Sequence, residues 1–158
     1  MTAYTSQLKF FTEDFAALVA TLDAPAAGKW GKMNAQQMAE HVANVFAASC
    51  GKINLTIQTP PEYLAKAKAF LLSDKEFREN TKGPAAFVPE EPQTAKHSSM
   101  NSSVEMLQAE INNFITYFQQ NPKATTIHPA FGELNFDEWV LAHYKHTLHH
   151  AKQFGLVG

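Results

Sequence analysis

Apolar residues recur three and four positions apart in several stretches of this chain, a spacing that predicts helices buried along one stripe. Leu8, Phe11, Phe15, Leu18 and Leu22 predict a first helix over 6–22, ended by Asp23, Pro25 and Gly28. Asn34 with Gln37 makes a capping-box pattern that opens a second helix running towards Ser49. Met38, His41, Val45 and Ala48 line its inner face. A third segment, 61–75, begins on Pro61 and carries Tyr63, Leu64, Ala67, Phe70 and Leu71. Val104, Leu107, Ile111, Phe114 and Phe118 predict a helix over 102–120, capped by Ser102 with Glu105 and stopped at Asn121-Pro122. The last helix lies within 134–156, with Asn135 and Glu138 as a second capping box and Gly155 at its end.

Between these elements the pattern weakens. Residues 53–57 (INLTI) read either as a short strand or as the fraying end of the second helix. Residues 80–101 hold Pro84, Pro89 and Pro92 with little periodicity. A structureless stretch of that length is either a surface crossover or a cover over a site. Residues 125–134 carry turn chemistry at His128-Pro129 and Phe131-Gly132. With no run of alternating strands, the expected architecture is all-α, a bundle of four main helices with one long crossover loop. The length suits one domain spanning 1–158, with a core large enough to need no staples.

A net charge of −2, with Arg78 the one arginine, gives no electrostatic case for nucleic acid. The single cysteine, Cys50, rules out an intrachain disulfide framework and a cysteine-rich zinc cluster. Its own reading is either a nucleophile or a small buried apolar group. No stretch approaches the ~20 apolar residues needed to span a membrane, and no cleavable leader pattern opens the chain. A soluble, cytoplasmic protein is the expectation. Glycine-rich phosphate loops, G-x-S-x-G elbows and H-E-x-x-H patterns are absent from the sequence.

The candidate chemistry is imidazole. Four of the seven histidines, His143, His146, His149 and His150, fall in the last helix. His146 and His150 are an i, i+4 pair whose rings stack one turn apart, close enough to reach one metal ion. Trp139 and Gln153 project within roughly 60° of them at about 100° per residue. Such a stripe has two readings: a solvated or partner-facing surface, or a set of ligands. Leu141, Tyr144, Leu148 and Ala151 make the opposite face apolar as well, so the helix is central or lies at a subunit interface, as in a homodimer. His41, alone on an apolar stripe, is either a core histidine bonded to backbone or a third ligand. Three imidazoles from two helices, with positions left open, would make a catalytic type of zinc, nickel or related centre. His128 serves either its turn or a pocket. His97 reads as an exposed loop residue.

Trp30-x-x-Met33 before a capped helix bearing His41, together with the terminal HTLHHAKQF of 146–154, resembles the DinB-like superfamily. The His128-Pro129-x-Phe131-Gly132 step followed by an acidic-Trp pair resembles its DUF1569 branch. The resemblance implies an up-down-down-up four-helix bundle. It implies a divalent metal, zinc or nickel, at one end, held by His41, His146 and His150. His149 would then be a spare histidine beside the pair, His143 a supporting or substrate-facing group, and Gln153 a structural residue. It further implies metal-dependent chemistry on a small molecule: a thiol-dependent S-transfer using a low-molecular-weight thiol, or a hydrolysis. The other reading is a metal- or ligand-binding, stress-related protein without turnover.

Overall fold

The computed structural model describes residues 2–158. Residues 5–19 form a continuous first helix, α1, in which the α-helical segments Thr5–Lys9 and Phe15–Val19 flank a π-helical turn, Phe10–Asp14. The wider turn inserts one residue into the apolar stripe. Both Phe10 and Phe11 consequently point inward: Phe11 is fully buried, while Phe10 packs against Phe15 and Tyr144. The helix stops at Val19, short of Leu22, and continues as hydrogen-bonded turns.

Helix α2, Ala35–Ser49, has the capping box that Asn34 and Gln37 announce, with Asn34 Oδ1 accepting from the Gln37 N–H at 2.8 Å and Gln37 Oε1 accepting from the Asn34 N–H at 2.9 Å. Helix α3 is Pro61–Leu72 and helix α4 is Met100–Gln120. The cap of α4 is Ser99 rather than Ser102: the Ser99 hydroxyl accepts from the Ser102 N–H, which already lies inside the helix. Helix α5, Phe136–Gln153, carries the second capping box, on Asn135 and Glu138.

The expectation of an all-α four-helix bundle with a long crossover is not met. The described residues form five helices and a two-stranded antiparallel hairpin, β1 Thr126–His128 with β2 Gly132–Leu134, paired Thr126↔Leu134, Ile127↔Glu133 and His128↔Gly132. The departure has two physical sources. Segment α3 is a complete helix of 12 residues, so it counts as an element and not as part of a connection. The turn chemistry at 128–132 closes a hairpin because Gly132 takes φ +86, a left-handed conformation that short hairpin loops use. Residues 53–57 are neither strand nor helix; Ile53 and Ile57 are exposed, and the segment ends by donating the Gln58 and Thr59 N–H groups to the Pro129 carbonyl.

The core is aromatic at its centre. Phe46 stacks on His143 at 3.8 Å and 13°, Phe11 lies edge-on to the His143 ring at 5.8 Å, and Phe114 does so at 4.7 Å. The hairpin is tied to both flanking helices. The Trp139 indole N–H donates to Thr126 Oγ1 at 2.7 Å, and that hydroxyl donates to the Ser49 carbonyl at 2.8 Å. Tyr144, on the apolar side of α5 opposite the histidine pair, packs edge-on against Phe10 at 5.6 Å, so α1 covers that side there. No helix among the described residues is long and apolar enough to cross a membrane.

Candidate metal centre

Helix α2 brings His41 to the face of α5 that carries His146 and His150. The Nε2 atom of His146 stands 3.0 Å from that of His41 and 3.0 Å from that of His150. One nitrogen from each of the three lies within 4.8 Å of the other two, a grouping that could hold a metal ion. His150 is buried, while His41 and His146 are half-buried beside a cavity of about 750 Å³.

The hydrogen bonds behind these rings fix which nitrogens face inward. The Gln153 amide N–H donates to the Trp30 carbonyl at 2.8 Å, so Gln153 Oε1 is turned towards His150. That oxygen lies 2.6 Å from His150 Nδ1, which must therefore carry the proton and donate. The Nε2 of His150 is left as a lone pair. His41 is hydrogen-bonded in the same sense to the Phe87 backbone carbonyl. Its inward Nε2 is likewise a lone pair. One His146 Nε2–H could satisfy only one of these two, and His146 Nδ1 is buried without a partner. Nitrogen lone pairs crowded this closely repel unless a cation lies between them, and a divalent ion with nitrogen ligands fits the donor set.

Electrostatics agree. Burial pushes His41 down to about 4, with the Phe87 carbonyl opposing it and His149 adding to it. Burial likewise holds His146 and His150 well below the ordinary imidazole value, and the neighbouring imidazoles of the group push further in that direction. Neutral imidazole is the ligating form.

The remaining histidines take separate places. His149 stands at the rim, its ring 5.5 Å from Trp30 and 5.9 Å from Phe77, and burial lowers its pKa. His143 is buried in the aromatic core. The Ser49 hydroxyl donates to the Phe46 carbonyl at 2.6 Å, so it accepts from His143 Nε2–H at 3.0 Å. His143 thus makes no hydrogen bond to the three grouped rings, although its edge lines the cavity. His128 also lines the cavity, at the hairpin turn. His97 is half-buried, with its Nε2 against Met106 Sδ at 3.1 Å. Cys50 is not among the cavity-lining residues, and burial pushes its thiol pKa up, the opposite of what a nucleophile needs.

Two supports of the site have only faint signals in the sequence. The turn at 28–31 is shaped around Gln153: a Cβ on Gly28 would stand 2.9 Å from Gln153 Cγ, and one on Gly31, at φ +81, 2.7 Å from Gln153 Nε2. The paired glycines flanking Trp30 are that signal. The other support is the strap between α3 and α4, whose Phe77, Phe87 and Val88 line the cavity. Its far end is stitched to α2 by Glu40, which accepts from the Lys96 N–H at 2.7 Å, the His97 N–H at 3.1 Å and the Ser103 hydroxyl at 2.7 Å.

No curated protein and no solved structure gives a significant match to this chain. A family described as "Protein of unknown function (DUF1569)" matches residues 4–155. With a match over almost its whole length, the chain belongs to the DUF1569 family.

Proposed function

We propose that this protein is a metal-dependent enzyme of the DinB-like superfamily, with His41, His146 and His150 holding one divalent ion, zinc or nickel. The observation that carries the reading is the convergence of three Nε2 atoms, two of them fixed as lone pairs, at the wall of a large cavity. Three protein ligands leave coordination positions free, as catalytic centres do and closed structural sites do not. A divalent ion there would supply Lewis acidity, lowering the pKa of a thiol or water that approaches the free position. The reaction class we assign is transfer of a low-molecular-weight thiol to a small organic electrophile, with hydrolysis by water as the variant of the same chemistry.

The chain's own residues do the rest. Gln153 orients His150 and the Phe87 carbonyl orients His41, so both rings meet a ligand without rearrangement. Trp30, Phe77, Phe87 and Trp139 give the cavity apolar walls that suit an organic substrate. The proposal sets the protein in the cytoplasm, where such thiols are kept reduced.

Elemental analysis of untagged protein beside His146→Ala tests the centre. About one divalent ion per chain is expected in the wild type, and loss of most of it in the variant; equal metal in both would remove His146 from the site. Metal-loaded protein offered a panel of thiols and electrophiles tests the chemistry. Thiol consumption that disappears in His146→Ala supports the enzyme. Full metal occupancy with no turnover across the panel would replace it with a ligand-binding role.

A further inference from the structure

His128 stands apart from the grouped rings, on the hairpin, and its two nitrogens have unequal surroundings. Its Nδ1 lies 3.0 Å from the Ala130 N–H and 3.3 Å from the Phe131 N–H. Backbone amides only donate, so Nδ1 is the acceptor and the ring's proton is fixed on Nε2. That Nε2–H forms no hydrogen bond among the described residues, and it is not one of the buried polar atoms sealed away from any partner. The residue is only 8 % exposed and lines the cavity, so Nε2–H opens into it.

The surroundings of this donor are apolar. Phe131, Trp139 and Phe87 lie 4.6, 5.3 and 5.7 Å away, ring to ring. Phe87 also links it to the grouped histidines, since the same residue offers its backbone carbonyl to His41 and its ring to His128. A donor set in so apolar a wall selects for an acceptor on whatever ligand enters the cavity. The ring stays neutral at physiological pH, because burial pushes it down to about 3. It therefore acts as a donor and does not act as a proton acceptor there.

We propose that His128 is a substrate-positioning residue: its Nε2–H receives an acceptor oxygen, a carbonyl or carboxylate, of an otherwise apolar substrate whose other end reaches the His41, His146 and His150 centre. The inference rests on the proposed metal site for where the substrate reacts, and on the cavity and hairpin alone for what it selects. Substrates with an acceptor oxygen are favoured. Groups that only donate, such as an ammonium, are disfavoured, because they would face another donor.

Two substitutions separate the ring's two jobs. Asn at 128 places an acceptor near the Nδ1 position and keeps the turn amides partnered, but it is too short to reach the cavity. Gln at 128 carries an amide N–H out to the Nε2 position. The probes are 4-phenylbutan-2-one, an apolar body with one acceptor oxygen, and 4-phenylbutan-2-amine, the same skeleton as a donor-only cation. Ligand-observed NMR gives their affinities, and nitrogen-resolved NMR of the histidine rings follows His128 directly. The ketone is expected to bind the wild type, to shift the His128 Nε2–H resonance, to weaken about tenfold in His128→Asn and to recover most of that loss in His128→Gln. The amine is expected to bind far more weakly than the ketone. No ketone binding to the wild type, equal ketone affinity in His128→Asn, amine binding as tight as the ketone, or a His128 resonance that does not move would each overturn the proposal. Metal content measured on the same samples keeps the two readings apart. Wild-type protein without metal defeats the centre while the ketone result still decides His128, and a His128→Asn variant that loses its metal makes His128 part of the centre and overturns its positioning role.

Discussion

The residue on which the candidate centre leans most is Gln153, because it faces two partners with opposite demands. Its oxygen accepts from His150, and its amide N–H holds the Trp30 carbonyl. Substitution separates the two roles. Gln153→Leu removes both, and metal affinity is expected to fall about 10–100-fold, the usual result of losing an outer partner of a ligating histidine. Gln153→Glu keeps an acceptor for His150 and repels the Trp30 carbonyl, so it should retain metal while loosening the 28–31 turn. Competition against a chelator reads the first effect, and exchange of the Lys29 amide, bonded to the Gln153 carbonyl at 2.7 Å, reads the second. The buried imidazoles carry a pH prediction with a definite sign. His41 and His128 titrate at about 4 and about 3 when folded, with burial the main cause, against about 6.5 in the unfolded chain. Below pH ~6.5 the unfolded chain binds protons that the folded one refuses, so unfolding is favoured. The thermal midpoint of metal-free protein should fall as pH drops from about 6.5 towards 4, and these groups should leave it unchanged above that range. A midpoint that is flat or rises on acidification would mean the rings are charged in the fold. The grouping of His41 with His146 and His150 was legible from spacing: one histidine on the inner stripe of α2, and an i, i+4 pair on α5. The proton positions were not, since they depend on Trp30, Phe87 and Ala130, which are 123, 46 and 2 positions from the rings or amides they serve.

Among the elements, the helices with clean three-four spacing and side-chain caps were legible, because helix signals are local. Asn34 with Gln37 and Asn135 with Glu138 form the capping boxes their sequences announce. The hairpin was not legible. Its strands are three residues each, too short to show an alternation, and its stability comes from long-range bonds such as Thr126 to the Ser49 carbonyl. The strap shows the same limit: its polar, proline-broken sequence hides that α2 anchors it through Glu40. Burial alone would raise the pKa of that carboxyl, but the Lys96 N–H, the Ser103 hydroxyl and the His97 N–H together hold it below the ordinary value. A depressed carboxylate contributes stability above its unfolded pKa and loses it as pH falls through the folded one. Replacing Glu40 with Gln sets an amide N–H against these donors and removes the charge. Bonds to a charged acceptor are worth roughly 1.5–3 kcal/mol each, so amide exchange at Lys96 and His97 should quicken at least tenfold while metal content stays unchanged. Exchange that is unaltered would show that other contacts hold the strap, such as Gln36 to the His97 carbonyl at 2.9 Å.

At the scale of the molecule, an ion at this centre would be a cross-link. His41 and His146 are 105 positions apart, and their helices α2 and α5 bring the two rings together at the wall of the cavity. The site does not exist in the unfolded chain, so binding energy there is folding energy. An ion free at 100 times its dissociation constant stabilises the folded state by about 2.7 kcal/mol. For a domain of this size each kcal/mol moves the thermal midpoint by about 2–4 °C, so stripping the metal should lower it by roughly 5–10 °C. The control is His146→Ala. Lacking one ligand and the packing of the ring, it should start at or below the midpoint of the stripped wild type and respond little to chelator. Removing the ring also leaves a cavity and withdraws the Nε2 contacts to His41 and His150, so each protein is compared with its own chelated sample and the difference isolates the ion. Restoring zinc or nickel should return the wild-type midpoint and leave that of the variant where it was. Equal chelator sensitivity in both proteins would place any stabilising ion elsewhere, and a wild type indifferent to both chelator and added ion would mean that the three rings come together without holding a metal.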